Sequence, residues 1–535
     1  MAVCAALTGL LALRVWRAGG NVAGQTALVV AALLAVPACQ AALAPGAAVR
    51  PVARVFVAAA LGLSIAALAS RGPVLPRAAR GLAAAAALAS LHALYQWIWG
   101  LDRLRDQVLA DPRVPDREIV LGRLEHGRAF AGFSTPAALG GLLVISLPLT
   151  VVLAVGARGR ARWAWAGLGF LQVAGLLTSS SATAVAALLG ALLAGAGARA
   201  GRGARRPAWA ALGAACLLLV ALVALRGDEV LSHSHPNSPW RLRAGNFTAA
   251  WSMAADHPWG GVGPGGFAEV YPAYRRAGDN ETDHAHNLPL ELAAELGWPA
   301  GAGVTLLFAW VFAAPALRRS GRKDPLRRAA ALGLLAFVLQ NVADFNAFLP
   351  SLLWIAALLR GTLADGPADE PSGTGPERSV AGASLAVALT ACIVCGASGF
   401  AADARYAARL AASTGDRAGA ESLASRAARW APWDPEAALA LARAAAQNPP
   451  LHQTGQPRRV VVLERAESAV RLSPVRAGAR ATRAEARLAL GDLPGALADM
   501  ELAARLRPGH EPHRRDRDRL RSLMLERIEG ARAAP

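Results

Sequence analysis

The sequence predicts an all-α protein: a polytopic membrane helix bundle of about 11–12 spans, followed by a C-terminal helical-repeat domain. Three observations predict it. Hydrophobic residues make up 54% of the 535 positions and charged residues 17%, with mean hydropathy +0.33, where an ordinary soluble chain carries about 25% charged residues. Apolar runs of membrane-crossing length recur up to residue 400. After residue 401 the composition shifts to Ala, Arg, Glu and Leu at helical spacing. A wholly soluble enzyme, a disordered chain and a disulfide-stapled secreted domain are thereby excluded.

A crossing helix needs about 20 predominantly apolar residues. The candidates are 1–13, 22–44, 52–70, 80–100, 136–155, 162–178, 182–198, 208–225, 289–316, 328–347, 349–363 and 380–400. The first is short: a clipped span, a misassigned start or a signal-like stretch, although no A-x-A cleavage site precedes Arg14. The chain divides into an N-terminal transmembrane bundle (1–225), a loop carrying the candidate site (226–288), C-terminal spans (289–400) and repeats (401–535).

A net charge of +19 would point to nucleic acid in a soluble protein. Here the basic residues crowd into short loops between apolar runs, so no nucleic-acid partner is expected. All are Arg except Lys323. With the abundance of Ala this indicates a GC-rich coding sequence, and Arg usage by itself says little about a ligand. The Arg-rich loops set the orientation instead. Arg158, Arg160 and Arg162 form one; Arg199, Arg202, Arg205 and Arg206 a second; Arg318, Arg319, Arg322, Lys323, Arg327 and Arg328 a third. Even numbers of spans separate them, so they share the cytoplasmic side with Arg14, Arg17, Arg71, Arg77 and Arg80. Residues 101–135, the loop 226–288 and the tail then face outward. Trp97, Trp99, Trp163, Trp165, Trp209 and Trp298 fall near span ends, as interfacial Trp does. The five cysteines (Cys4, Cys39, Cys216, Cys392 and Cys395) all lie in apolar runs and read as small apolar filler, the C-x-x-C of the last two included.

In the tail, AVRLSP ends at Pro474 and AARLRP at Pro508, with Gly491–Asp492 at a helix turn between them. That period is tetratricopeptide-like, and such stacks bind peptides or proteins on a concave face. A protein partner for the tail is the corresponding expectation, and an undifferentiated helical bundle the alternative.

Five of the ten histidines lie in the long loop: His233, His235, His257, His284 and His286, with Arg241 and Arg243 among them. A helix is predicted from Leu242 to about Ala255, then a Gly/Pro loop. Gly261–Gly266 fits G-x-G-x-x-G, but a dinucleotide fingerprint needs a preceding strand. The glycines are expected to let backbone approach a sugar, a phosphate or the bilayer. Three readings of the histidines stand. His284, His286 and Asp283 could ligate a metal. They could be surface residues without chemistry. Or one is a general base beside cationic Arg, taking a proton from a hydroxyl while Arg grips a phosphate or pyrophosphate. No metal or cofactor is required by the third.

DHPWGGVGPGGF followed by HAHNLPLELAAELG, in a loop between late spans, resembles the O-antigen ligase superfamily, which includes O-antigen polymerases and protein O-oligosaccharyltransferases. The family pattern has His, then Asn, Ser or Gln, nine residues, Gly, two residues, then Gly, Thr or Tyr. His286, Asn287 and Gly297 match it, and Ala300 stands at the closing position with Gly301 one later. RAFAGFSTPAALGGLL from Arg128, Arg243 before the Gly loop, and VADFNAFLP with Asp344 resemble further family segments. Members often carry Thr-x-Ser-Arg at the end of a middle span; here Ser181 stands where that Arg would be. If that Arg grips the donor, Arg128 or Arg241 must replace it. The resemblance implies a glycosyltransferase-C-like fold in a bacterial inner membrane, with loop and tail in the periplasm. It also implies transfer of a glycan from undecaprenyl pyrophosphate to a hydroxyl, that of lipid A–core in a ligase. His286 would be the base, and Arg128, Arg241, Arg243, Asn287 and His284 would meet the substrates. A membrane scaffold or transporter worked by the tail is the rival class. Mid-span acids would mark a transporter, and Asp344 is the one clear candidate.

Overall fold

A computed structural model describes residues 74–111, 117–197, 239–276, 279–317, 324–363, 400–448, 450–453 and 455–533, with Gly213 and Ala397 besides. The expected spans 1–13, 22–44 and 52–70, nearly all of 208–225 and 380–400, His233, His235, the C-x-x-C and the 199–206 loop lie outside the described residues. Among the described residues the structure is all-α, with a single isolated bridge between Gln447 and Pro450. It is a helical membrane protein, and three described helical stretches are long and apolar enough to cross a bilayer: 74–110, 136–156 and 298–316. Ala182–Gly195 and Pro350–Gly361 are shorter apolar helices.

Helix α1 (Val74–Tyr95) passes through a widened turn, Gln96–Gly100, into α2 (Leu101–Ala110), and α3 (Arg117–Glu125) follows. The expected span 80–100 is therefore part of a 37-residue helical stretch. At 1.5 Å per residue it is longer than a hydrocarbon core of about 30 Å, so its polar α2 end projects. Then come α4 (Pro136–Gly156), α5 (Arg160–Ser179) and α6 (Ala182–Gly197), near their expected bounds. Helix α4 starts on the Thr135 side chain, which accepts from the Ala138 N–H, with Pro136 at the first turn. Its residues are buried almost without interruption from Ala137 to Thr150, as befits a helix apolar all round. It forms the centre of the bundle, packed by α1, α5, α6 and, later in the chain, α11 (Pro325–Gln340). Small residues permit the close crossings: at Gly333 of α11 a Cβ would collide with the Ile145 carbonyl of α4. The buried amide of Gln172 is fully engaged in this core. Gln172 of α5 donates to the Ala83 carbonyl and to Thr150 Oγ1 at 3.0 and 2.9 Å, and accepts from Ser146 Oγ.

The expected span 289–316 is corrected. It forms two helices, α9 (Leu288–Leu296) and α10 (Trp298–Leu317), broken at Gly297, whose φ is +79°. Nine residues rise only about 14 Å, and α9 buries Glu291 and Glu295, so only α10 has crossing length. Before them lie α7 (Pro239–Asp256), which starts three residues earlier than expected, and α8 (Phe267–Tyr274), which the sequence reading did not anticipate. Helix α11 ends at Gln340 rather than continuing to 347; residues 341–349 fold into a loop with a 3-10 turn before α12 (Pro350–Gly361). The tail runs through helical residues 400–413, then α13 (Arg417–Trp430), α14 (Pro435–Gln447), α15 (Gln456–Leu472), α16 (Ala477–Ala489), α17 (Leu493–Leu506) and α18 (Glu511–Ala533). From α13 onward each packs on the next.

The alternating helices sort the connectors into two ends. One end gathers the start of α4, the α5–α6 corner, the approach to α9 and the α11–α12 loop. Arg158, Arg160, Arg162, Arg327, Arg328 and Arg360 lie toward the other.

Candidate active site

The candidate site sits at the end of the bundle away from those arginines. His286 stands two residues before α9, and its φ is +56°, a left-handed conformation uncommon outside glycine. Among the described non-glycine residues, only Ala131 and Ser180 share a positive φ, and both lie in connectors of this same end. Asn287 fixes the strained position from the following side. It is the N-cap of α9, its Oδ1 accepting the Leu290 N–H at 2.9 Å. The Leu288 N–H donates to the Asn341 carbonyl at 2.9 Å, tying the start of α9 to the end of α11.

Asp344, in the α11–α12 loop, is fully buried. Its Oδ1 accepts the Phe345 N–H at 3.1 Å and lies 3.6 Å from His286 Nδ1. Its Oδ2 accepts from Thr183 Oγ1 of α6 at 3.1 Å and lies 3.8 Å from the Arg243 guanidinium of α7. Four segments distant in sequence thus meet around one carboxylate. His286 is partly exposed, with a side-chain accessibility of 26%. Its Nδ1 faces Asp344, so an imidazole held there can present Nε2 to a substrate hydroxyl while the carboxylate stabilises the protonated ring. At 3.6 Å the pair is just outside direct hydrogen bonding, and such contacts commonly tighten when substrate binds.

His284 is turned to a different carboxylate. Its Nδ1 lies 2.7 Å from Glu291 Oε1, while Glu291 Oε2 accepts the Ala285 N–H at 2.8 Å. Its ring stacks on Phe345, 4.3 Å between centroids and 15° between planes, whereas His286 meets the same Phe345 edge-on at 4.7 Å. Burial alone would lower the His284 pKa, but Glu291, aided by Glu295 and Asp283, raises it above the ordinary histidine value. A raised folded-state value means this clamp contributes fully at acid pH and weakens as pH rises through it. The two histidines thus face separate carboxylates, and among the described residues no group of three or more His, Cys, Asp or Glu is arranged to hold a metal ion.

The two arginines of the Trp-Arg-Leu-Arg run part company. Two residues along a helix is about 200° of rotation, so Arg243 points at Asp344 while Arg241 is exposed on the first turn of α7. Arg128 is half-buried, and its Nε donates to the Ser179 carbonyl at 3.0 Å, at the α5–α6 corner. Ser181, buried, follows two residues later. Arg128 therefore reaches the corner where the family pattern has an arginine and this chain does not.

The glycine loop lies against protein backbone. Its backbone approaches α9, closing that helix's last turn: the Val262 and Gly263 N–H groups donate to the Ala294 and Glu295 carbonyls at 2.9 and 3.0 Å, and Trp298 N–H donates to the Pro258 carbonyl at 2.8 Å. A Cβ on Gly261 would fall inside the Glu295–Leu296 peptide. Glu295 closes the junction from its side chain, Oε1 accepting the Phe267 N–H at the start of α8. Gly301, one residue beyond the family's closing position, is where α10 meets α9: a Cβ there would lie 2.7 Å from Ala293 Cα. At Gly297 a Cβ would lie 2.5 Å from the Trp259 carbonyl carbon, and its φ of +79° and ψ of 165° are open essentially to glycine alone. Gly297→Ala is expected to lower stability by at least ~1–3 kcal/mol, read as a depressed thermal midpoint in detergent. An unchanged midpoint would show that the junction is not tightly packed.

Sequence reasoning named His286, Arg243 and Asp344 separately but did not join them. It missed Glu291, Glu295 and Tyr271. The Tyr271 hydroxyl lies 2.9 Å from both Asn246 Oδ1 and the Asn280 carbonyl, pinning the loop that leads to the histidines. Acids in an apolar helix were the available signal for the two glutamates.

Residues 166–305 match the family model described as O-Antigen ligase. The match supports the O-antigen ligase superfamily, whose members are membrane glycosyltransferase-like enzymes. It takes in Ser181, Arg243, His284, His286, Asn287 and Gly297; Arg128 and Asp344 lie outside it. No curated protein matches the chain.

Proposed function

We propose that the chain transfers a glycan from undecaprenyl pyrophosphate to an acceptor hydroxyl, as an O-antigen ligase does with lipid A–core. The observation that carries this reading is the His286–Asp344–Arg243 cluster, whose histidine and arginine lie within the family-matching segment. His286 Nε2 takes the acceptor's hydroxyl proton. The oxygen attacks the anomeric carbon, the bond to the pyrophosphate oxygen breaks with inversion, and undecaprenyl pyrophosphate leaves. Arg243 and Arg128 stabilise the charge that grows on the leaving group; the position of Arg128 at the α5–α6 corner favours it over Arg241 as the replacement for the missing family arginine. Asn287 and His284 act on the loop, the first as a helix cap and the second through Glu291.

The reaction is tested by a deletion in which the surface glycan and the lipid-linked donor are measured together. Accumulated full-length donor is expected. Accumulated single repeat units would identify a polymerase instead, and an unchanged donor pool with lost glycosylation of a protein would identify an oligosaccharyltransferase.

In this reading the site end of the bundle faces the periplasm, and the tail with it, its helices serving as tetratricopeptide-like repeats. Exposed Glu281 and Ala498 provide labelling positions in loop and tail. Glu281→Cys and Ala498→Cys, introduced singly, are both expected to react with a membrane-impermeant thiol reagent in intact spheroplasts. Reaction at one alone would overturn the shared-side assignment.

A further inference from the structure

Among the described residues the tail meets the site domain at α8, against which α17 packs and to which the turn between α15 and α16 reaches. Arg476, in the turn between α15 and α16, is mostly buried and forms ion pairs with Glu269 of α8 and with Glu436 of α14. Arg507 acts on the same Glu269 carboxylate from the end of α17. Next to Arg476, Val475 packs against a small core made by Ala249, Ala250 and Met253 of α7, Phe267, Val270 and Tyr271 of α8, and Ala285 and Ala294. Ala285 is the residue between the two histidines and is fully buried in that core. From α8, two further ties lead to the histidines. The Tyr271 hydroxyl reaches the Asn280 carbonyl, and the Phe267 N–H donates to Glu295, one turn from Glu291 and its His284 contact.

We propose that Arg476 is a positioning residue: by gripping Glu269 it seats the repeat tail on α8, and so holds the loop that carries His284 and His286. The tail is then part of the wall of the catalytic domain rather than an appendage displayed away from it. Burial raises the Glu269 pKa, with Arg476 the foremost opposing influence. Removing Arg476 leaves a largely buried carboxylate with only the weaker attraction of Arg507, a disruptive change, whereas removing both charges together is milder. Only the rate arm of the test rests on the transferase reading.

The test uses the purified full-length chain and four variants: Arg476→Met, Arg476→Lys, Glu269→Gln, and Glu269→Gln with Arg476→Met. Two quantities are read, hydrogen exchange over residues 279–287 and the kcat and KM of glycan transfer. Arg476→Met is expected to speed exchange in 279–287 and to lower kcat on the order of ten-fold or more, with donor KM little changed, because misplacing a base affects the reacting geometry. Arg476→Lys keeps the charge but loses the fork that spans Glu269 and Glu436, so it should fall between the parent and Arg476→Met in both readouts. The double variant should recover part of what Arg476→Met loses, the signature of a direct pair. Exchange that rises in the tail alone, or a kcat that stays at the parent value in Arg476→Met, would overturn the proposal. If the parent itself transfers no glycan, the transferase reading fails, and the exchange pattern over 279–287 still decides whether Arg476 holds the loop.

Discussion

His286→Ala in the full-length chain is expected to abolish glycan transfer at normal protein levels. Loss of a general base lowers a rate by about 10²–10⁴-fold, enough to remove the product from a cell-based assay. The assignment to His286 rather than His284 rests on what each Nδ1 faces. His286 points at the buried Asp344, with Arg243 beside it and part of its ring open. The His284 Nδ1 contacts Glu291 at 2.7 Å, and its ring lies flat on Phe345. His284→Ala should therefore loosen the loop and reduce transfer much less. The comparison is made at matched expression, with surface glycan as readout. A dead His284→Ala beside a normal His286→Ala would overturn the base assignment and the motif alignment with it.

Among the described residues hydropathy worked where a helix buried in lipid or core must be apolar along its length, and α4, α5 and α6 emerged near their expected bounds. It failed where an apolar run hides a corner. Residues 289–316 read as one span because Gly297 and Pro299 are not polar enough to interrupt the pattern, yet the φ of +79° turns the chain there. It failed also for α8, whose eight residues are too short for periodicity to show. At the site, the spacing from His286 to Gly297 was legible because it lies within one segment. The convergence of Asp344, Thr183, Arg243 and His286 was not, since it depends on how α6, α7 and the α11–α12 loop meet in space. Glycine richness indicated close backbone approach, but not that the approached backbone would be α9.

Asp344→Asn is expected to lower kcat by about 10²–10⁴-fold, comparable to loss of the base itself, while leaving the protein folded. Asn preserves the volume; with its oxygen kept toward the Phe345 N–H, its NH2 takes the place of Oδ2 and donates to Thr183 Oγ1, so the α11–α12 loop keeps both contacts with the second one reversed. What it removes is the charge 3.6 Å from His286 and 3.8 Å from Arg243. A neutral amide cannot stabilise an imidazolium, and in the flipped orientation its NH2 would face Nδ1, the atom that must remain the donor if Nε2 is to be free as the base. Because Asp344 is fully buried, it acts through His286 and Arg243 rather than on the donor, so donor KM should change little. Arg243→Lys provides the contrast. A lysine replaces a planar fork with a point charge, and if Arg243 holds pyrophosphate, that variant should raise donor KM as well as lower kcat. Equal effects on KM in both variants would place Asp344 among the donor contacts. Full activity in Asp344→Asn would show that the His286–Asp344 approach plays no part in the reaction.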